Sequence, residues 1–372
     1  MALCTISLFA QDVYIKTEAD INAFNYETVD NLYIQNSSGL TSISGFESLK
    51  IVKNDLIILG NRKVISLTGF NNLKTVNGNF KIEENPIKTF ENAFNSLEYV
   101  GKGFCFKGFS EDELIGFSSL THVDYVSIYN CGLKNIDFLS HLESVEGGIL
   151  IYNNPALLNI DAFSKIKEMF FLDICNNAVL ENVHGLSSLT KAEDVWISEN
   201  NSLKDLSGLE VLDTIVTSLV ITFHPNLVSI NALGNLKHIG MNVGISHNMS
   251  LCECSVVADW LTNSNVVKGS IALVDNMPPC NSATMTSIDN INAVERIAVY
   301  PNPASDKSIF DFGNTILNYT ISIYDINGCL VYRFQNVNSS LTVDWKENAK
   351  GIYLYSICSE AGEVQNGKII VQ

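Results

Sequence analysis

The sequence predicts a mostly β protein, with a right-handed parallel β-helix followed by a small antiparallel β-sandwich. Three observations support this prediction. Apolar landmarks recur every 22 to 24 residues through most of the chain, and asparagine-rich turns follow them. The last 76 residues change to short strands of alternating polarity. A self-similar period in this range is typical of a solenoid of stacked repeats.

The repeat occupies residues 31–249 in about ten rungs. Its landmarks are Ile34, Ile58, Ile82, Phe106, Ile128, Ile151, Ile174, Ile197, Ile221 and Ile245. Within the first rung, Leu32 and Ile34 alternate as a short strand, and apolar residues then recur at every third position from Leu40 to Val52. A single rung buries too little apolar surface to offset the entropy of ordering its backbone. Stacking must therefore supply the stability, with the strands paired into a parallel sheet by right-handed crossovers.

Asparagine dominates the turn that follows each strand. The turn residues include Asn36, Asn61, Asn85, Asn130, Asn153, Asn154, Asn176, Asn177, Asn200, Asn201 and Asn248. Asparagine tolerates left-handed backbone and bonds its own main chain. The pattern predicts an asparagine ladder along the stack. The alternative is a polar binding rim.

Both ends of the repeat need covers, because a terminal rung exposes its core and its strand edge. Residues 11–30 are predicted to form an N-terminal cap, with a strand and then a helical turn that Thr17 caps. Residues 250–280 are predicted to form a C-terminal cap. In that cap we expect a disulfide from Cys280 to Cys252 or Cys254. The alternative is a metal site, but no matching Cys/His pair lies at ligand spacing, so we expect no metal and no cofactor.

The remaining segments concern export. Residues 1–10 are interpreted as the remnant of a signal peptide, with an ordinary N-terminal strand as the alternative, and residues 281–296 are interpreted as a linker. No run of 18 apolar residues predicts a spanning helix.

The net charge is −17, and residues 297–372 carry five basic and seven acidic residues, which leaves −15 elsewhere. An acidic surface repels phosphate backbones, so no nucleic-acid partner is expected.

The tail, residues 297–372, contains seven short strands separated by turn signals, which favours a small β-sandwich. It also carries ordered motifs: Val299 to Asp306, Ile323 to Gly328, Lys350 to Tyr355 and Lys368 to Val371. These motifs resemble the C-terminal sorting domain of the type IX secretion system of Bacteroidota. The sorting-signal residues under this resemblance are Pro301, Asn302, Pro303, Gly328, Gly351 and Lys368. The resemblance implies the type IX machinery as a partner and a secreted or outer-membrane cell-surface location. The alternative is an ordinary carbohydrate-binding or spacer sandwich.

The repeat half carries a second resemblance. The segments Gly45 to Leu49, Gly69 to Leu73, Gly116 to Leu120 and Gly185 to Leu189 share one motif, each followed by a strand. They resemble the receptor L-domain family, relatives of leucine-rich repeats. That resemblance implies binding of protein or polysaccharide through one face and transfers no catalytic residues. The rung from Phe104 to Thr121 departs from the pattern.

Residues adjacent to the landmarks should point out from the sheet. They give a predicted binding strip of Tyr129, Leu150, Tyr152 and Trp196 for protein or glycan. The alternative is that another sheet, the cap or cross-strand packing covers these side chains. We expect a binding or adhesion protein and not an enzyme. A structural spacer without a ligand is the alternative, and a polysaccharide lyase is a weaker one, because Lys81, Glu83, Lys107 and Asp173 are too scattered for an acid/base pair.

Overall fold

The computed structural model describes residues 11–88, 90, 93–263, 265–280, 297–312, 318–325, 330–346, 348, 350–359 and 364–372. The predicted signal remnant (1–10) and linker (281–296) lie outside these residues. The described chain is mostly β, with a solenoid of about ten turns and small antiparallel sheets at the C-terminus. The predicted fold class is therefore confirmed.

One parallel sheet of 17 strands runs the length of the solenoid. Its strands are Val13–Ile15, Thr28–Val29, Leu32–Gln35, Ile51–Val52, Leu56–Leu59, Thr75–Val76, Phe80–Glu83, Tyr99–Lys107, His122–Tyr129, Ser144–Tyr152, Glu168–Cys175, Lys191–Ser198, Thr214–Ile215, Leu219–Thr222, His238–Ile239, Val243–Ser246 and Ile271–Val274. Landmarks pair in register from rung to rung, as in Ile34 with Ile58 and Ile58 with Ile82. All ten landmarks are buried.

The opposite wall of each rung is built from short turns and helices. Two short strands, Ser42–Ile43 and Ser66–Leu67, pair in parallel, and later rungs use 3-10 helices instead. These helices are Asp137–Leu139, Asp161–Phe163, His184–Leu186 and Asn231–Asn235. The interior between the walls is one continuous apolar core from Val13 to Cys280. Phe46, Phe70, Phe94 and Phe117 stack along it, with ring centroids 4.6, 4.8 and 5.2 Å apart.

The predicted asparagine ladder is present and occupies a single position per rung. Asn177 is typical: its Oδ1 accepts from the Asn154 backbone N–H at 3.1 Å, and its Nδ2 donates to the Ile151 carbonyl at 3.0 Å. The residues at this position are Ser37, Asn61, Asn85, Phe109, Cys131, Asn154, Asn177, Asn200, His224, Asn248 and Asn276. Phe109 interrupts the ladder within the rung whose sequence departs from the pattern.

The residue before the ladder position has a different task. Asn36, Asn130, Asn153 and Asn176 adopt positive φ, between 52° and 56°, where asparagine is tolerated better than most side chains. The two adjacent asparagines of several turns therefore differ in role. One allows the chain to turn, and the next bonds to the neighbouring rungs.

His224 replaces asparagine in the ladder. The Asn200 N–H donates to its Nδ1 at 3.2 Å, and its Nε2 lies 3.0 Å from the Ile197 carbonyl. Burial lowers the pKa of His224, so the ring is neutral and its Nε2 carries the proton. A neutral imidazole offers one donor and one acceptor, as the amide does.

The segment predicted to be the N-terminal cap contains a strand and a capped helix. Thr17 caps the helix Glu18–Asn22, and Thr17 and Asp20 form a reciprocal capping box. Ile21 from this helix is buried against the first rung. The preceding strand, Val13–Ile15, pairs in parallel with Leu32–Gln35, so the cap also adds a strand to the sheet.

The C-terminal cap differs from the prediction in one respect. The helix Ser255–Thr262 buries Val256, Val257 and Trp260, but the repeat does not end before it. The strand Ile271–Val274 pairs in parallel with Val243–Ser246 and completes one more rung. The sequence period misses it because the inserted helix lengthens that rung: Leu273 pairs with Ile245, 28 residues earlier.

The tail folds as two antiparallel sheets with their own apolar core. The three-stranded sheet contains Ala298–Tyr300, Lys307–Asp311 and Leu341–Asp344, and the four-stranded sheet contains Tyr319–Asp325, Leu330–Val337, Gly351–Ser359 and Val364–Val371. The core includes Phe310, Ile321, Trp345 and Ile369. Trp345 also donates from Nε1 to the Ser308 hydroxyl at 2.9 Å. All seven predicted strands are present.

Candidate functional site

The outward side of the solenoid sheet, here called the outer face, carries the predicted binding strip. Tyr129 and Tyr152 pair in register on neighbouring strands, and their rings stack with centroids 5.3 Å apart. Leu150 lies on the same strand and the same side as Tyr152. Trp196 follows two strands further along, since Leu150 pairs with Asp173 and Asp173 pairs with Trp196.

The expectation that all four side chains are exposed is wrong for two of them. Tyr129 is 5% exposed and Leu150 is 4% exposed, whereas Tyr152 and Trp196 are partly exposed. Tyr129 is packed between Tyr152 and the buried Lys107, whose Nζ lies 5.9 Å from the ring centroid and 2.6 Å from Glu84 Oε1. The predicted alternative, coverage of the strip, therefore holds for this part.

Part of the tail lies across a cavity from Leu150. Leu150 lines a cavity of 260 Å³ that lies between the outer face and the strand Leu330–Val337. The solenoid contributes Lys81, Cys105, Tyr125, Ser127, Leu150 and Phe171 to its lining, and the tail contributes Val331 and Arg333. The strip and the tail thus share one region of the molecule.

Beside the strip, four outer-face residues form a compact group, here called the acidic–aromatic patch: Phe171, Asp173, Asp194 and Trp196. Phe171 pairs with Asp194, and Asp173 pairs with Trp196, on two neighbouring strands. Alternation places all four side chains on the same side of the sheet. Asp173 and Trp196 are outward residues by their position beside the landmarks, whereas Phe171 and Asp194 were not predicted from the sequence. Extending the alternation two residues toward the start of each strand would have found them.

Arg333 of the tail lies on this patch. Its Nη2 is 2.6 Å from Asp194 Oδ2, and both side chains are largely buried. Its guanidinium carbon lies 5.8 Å from the centroid of the Phe171 ring. Nearby, Gln335 Nε2 donates to Glu193 Oε1 at 3.2 Å. Charge-assisted hydrogen bonds of this kind are stronger than neutral ones, and guanidinium stacks favourably on aromatic rings.

Asp173 lies in a strongly perturbed electrostatic environment on the outer face. Burial, together with the neighbouring Asp194 charge, raises its pKa to about 7, although Arg333 acts in the opposite direction. Its Oδ1 is buried without a hydrogen-bond partner among the described residues, and so is Arg333 Nε. A buried carboxylate without a partner is costly, so protonation relieves it near neutral pH.

The outer face also holds two cysteines with unreactive thiols. Burial raises the pKa of Cys105 to about 11 and that of Cys175 to about 12. The thiolate is the nucleophilic form, so these side chains act as small apolar groups at neutral pH. The described residues contain no group of three or more His, Cys, Asp or Glu side chains placed to hold a metal ion.

The cap cysteines resolve the pairing that the sequence left open. Cys254 and Cys280 form a disulfide, and Cys252 is a free thiol. The disulfide joins the start of the cap helix to the segment beyond the last solenoid strand. It therefore closes the end of the stack.

Several of the predicted sorting-signal residues meet at one edge of the tail. Asn302 Nδ2 donates to the Lys368 carbonyl at 2.6 Å, and its Oδ1 accepts from the Ile370 N–H at 2.9 Å. Pro301 and Pro303 flank Asn302 in an exposed turn. Gly351 begins the strand that pairs with the last one. Gly328 lies outside the described residues.

Comparison with known families identifies the tail. Residues 298–372 match the family model described as a secretion system C-terminal sorting domain. This match supports the type IX secretion machinery as a partner and indicates export to the cell surface or secretion. It covers the last fifth of the chain and none of the solenoid. Among the described residues, no helix is long and apolar enough to cross a bilayer.

One curated protein resembles part of the chain. It is sporulation-specific protein 22 of Saccharomyces cerevisiae, 24% identical over 193 residues, which cover 44% of this chain and 39% of the yeast protein. The match thus spans about two-fifths of the yeast protein's length. At this identity and coverage, the similarity assigns no function to the solenoid.

Proposed function

We propose that the chain is an exported binding or adhesion protein. In this proposal, the solenoid recognises protein or glycan through its outer face, around Tyr129, Leu150, Tyr152 and Trp196. We also propose that the solenoid is related to the receptor L-domain family, whose segment motif it shares. The observation that carries the proposal is the grouping of the stacked tyrosines, Trp196 and two carboxylates on one rigid parallel sheet.

Physical chemistry supports this face over the rest of the surface. Tyrosine and tryptophan provide large contact areas with few rotatable bonds, and they are enriched at positions that dominate binding energy. A sheet held by interior ladders keeps such side chains in fixed positions and reduces the entropy lost on binding. Within the strip, the partly exposed Tyr152 and Trp196 are the residues most available to a ligand.

The test uses Tyr152→Ala and Trp196→Ala in the purified chain. Both variants and the wild type would be applied to arrays of extracellular proteins and glycans, with melting curves recorded in parallel. Phe223→Ala provides the control, because Phe223 is an exposed aromatic residue on a turn outside the strip. The proposal predicts loss of ligand binding by the strip variants with little change in melting.

Two other functions predict different outcomes. A structural spacer would show no array ligand that depends on Tyr152 or Trp196. A polysaccharide lyase, the weaker candidate, would release unsaturated products from acidic polysaccharide, which absorb in the ultraviolet. Either outcome would replace the binding proposal.

A further inference from the structure

The acidic–aromatic patch has the composition and shape of a site for a planar cation. Two in-register strands place a ring at one corner, Phe171, and carboxylates beside it at Asp173 and Asp194. A guanidinium group can donate to a carboxylate in its plane while its face lies on a ring. An ammonium group provides no such plane, so the arrangement favours arginine over lysine.

The full chain itself provides the first occupant. Along the strand Leu330–Val337, alternate residues point to opposite sides. Tyr332 and Phe334 pack against the tail core, whereas Arg333 and Gln335 reach Asp194 and Glu193 of the solenoid. A basic side chain of the tail thus lies in the patch, at a sequence distance of 139 residues from its partner Asp194.

Arg333 fills the patch only in part. It bonds Asp194, but Asp173 Oδ1 and Arg333 Nε are both buried without partners among the described residues. An arginine that approached from another direction could donate to both carboxylates. Asp173 Oδ1 and Arg333 Nε thus remain without hydrogen bonds among the described residues when the tail is in place. This indicates that the patch is not complementary to the tail alone.

The contact between the tail and the outer face also has the character of a separable interface. Arg333 and Gln335 make polar contacts across it, and a cavity of 260 Å³ lies beneath Val331 and Arg333. Permanent interfaces resemble protein interiors and are more apolar and closely packed. The solenoid and the tail also bury separate apolar cores, so neither core needs the other.

From these observations we infer that the acidic–aromatic patch is an arginine-binding site, which Arg333 occupies within the full chain and which accepts an arginine of a partner protein when the tail is displaced. This inference rests on the proposed function, because it takes the outer face as the ligand-binding surface. It adds a chemical class of ligand, an arginine-bearing protein segment. It also makes the tail a competitor for that ligand.

The experiment needs a solenoid that has folded as part of the full chain. A specific protease site is inserted within residues 281–296, the folded protein is cut, and the tail is removed in high salt. A melting curve checks that the solenoid remains folded. The probe is a fluorescein-labelled peptide with the sequence of residues 330–337, and binding is measured by fluorescence anisotropy.

The inference predicts that the peptide binds the cut solenoid at least about tenfold more tightly than the uncut chain, because one charged hydrogen bond already accounts for such a factor. Arg333→Lys in the peptide and Asp194→Asn in the solenoid should each weaken binding by about tenfold or more. Glu181→Gln, at an exposed position away from the patch, should leave it unchanged. Equal binding to cut and uncut chains, no binding to the cut solenoid, or insensitivity to Asp194→Asn would overturn the inference.

The two proposals fail separately. If the peptide result fails while Tyr152→Ala and Trp196→Ala still abolish array binding, the outer face binds ligands but the patch is not an arginine site. If the peptide binds as expected but no array ligand depends on the strip, the arginine site stands and the proposed function falls.

Discussion

At the scale of single residues, the ladder position and the acidic–aromatic patch differ in how completely their polar groups are bonded. Asn177 receives and donates hydrogen bonds to both neighbouring rungs. Asp173 has a buried oxygen without a hydrogen-bond partner among the described residues. Satisfied buried amides hold a structure together, whereas an unsatisfied buried carboxylate weakens it unless a ligand or a proton compensates. The ladder is therefore the stabilising network, and the patch is the candidate site.

The first prediction concerns the ladder. Asn177→Ala removes the acceptor of the Asn154 N–H and the donor to the Ile151 carbonyl. Leaving these buried groups unpaired should lower the free energy of unfolding by about 3 kcal/mol, measured by urea denaturation. Asn235→Ala is the matched control because this asparagine is exposed, and it should cost less than about 1 kcal/mol. Equal costs for the two variants would mean that the ladder contributes little.

The second prediction concerns the pH dependence that Asp173 introduces. Its pKa is about 7 in the folded chain and about 3.9 in an unfolded one. Between these values the folded state binds more protons than the unfolded state, so this residue's contribution to stability is present below about pH 4 and lost as pH rises toward 7. The charged groups that act on it are Asp194, which raises its pKa, and Arg333, which lowers it.

Asp173→Asn tests this dependence, because asparagine retains the shape and carries no charge. The variant should be more stable than the wild type at pH 7.5, and the difference should shrink toward pH 4.5, as measured by urea midpoints at both values. A wild type that is more stable than the variant at pH 7.5, by a margin that shrinks on acidification, would show that Asp173 is ionised and stabilised in the folded chain.

At the scale of elements, the sequence period predicts much of the solenoid because each rung packs equivalent apolar residues at equivalent positions. Ile34, Ile58 and Ile82 take equivalent positions, so their spacing alone predicts the register. The inserted helix Ser255–Thr262 breaks that spacing, so the period does not predict the last strand, Ile271–Val274. The cavity that Leu150 shares with the tail was not predictable, because no periodic signal encodes the position of the tail strand.

The third prediction concerns the C-terminal rung. The disulfide Cys254–Cys280 closes a loop with a sequence separation of 26 residues, which in the chain-entropy model stabilises by about 3 kcal/mol. Removing it with Cys254→Ala and Cys280→Ala should accelerate hydrogen exchange in Ile271–Val274 and leave central strands such as Glu168–Cys175 unchanged. Cys252→Ala is the control, since Cys252 is a free thiol. Uniform acceleration along the solenoid would mean that the disulfide stabilises the whole stack and not its end.

At the scale of the whole molecule, a solenoid and a sorting tail are joined in one chain and touch across the outer face. The tail match indicates export to the cell surface or secretion. The sequence could identify both parts because each carries its own local pattern. It could not predict their contact, because Arg333 and Asp194 meet through the docking of two separately folded cores.

The most direct test of this account is hydroxyl-radical footprinting of the full chain and of the same chain after cleavage and removal of the tail. The account predicts that oxidation of Leu150 and Phe171 rises when the tail is removed, because Val331 and Arg333 of the strand Leu330–Val337 line the same cavity as these two side chains. Phe223, which is 49% exposed in the full chain, should be oxidised equally in both samples. Equal oxidation of Leu150 and Phe171 before and after tail removal would contradict the account, because the tail would then not lie on the outer face.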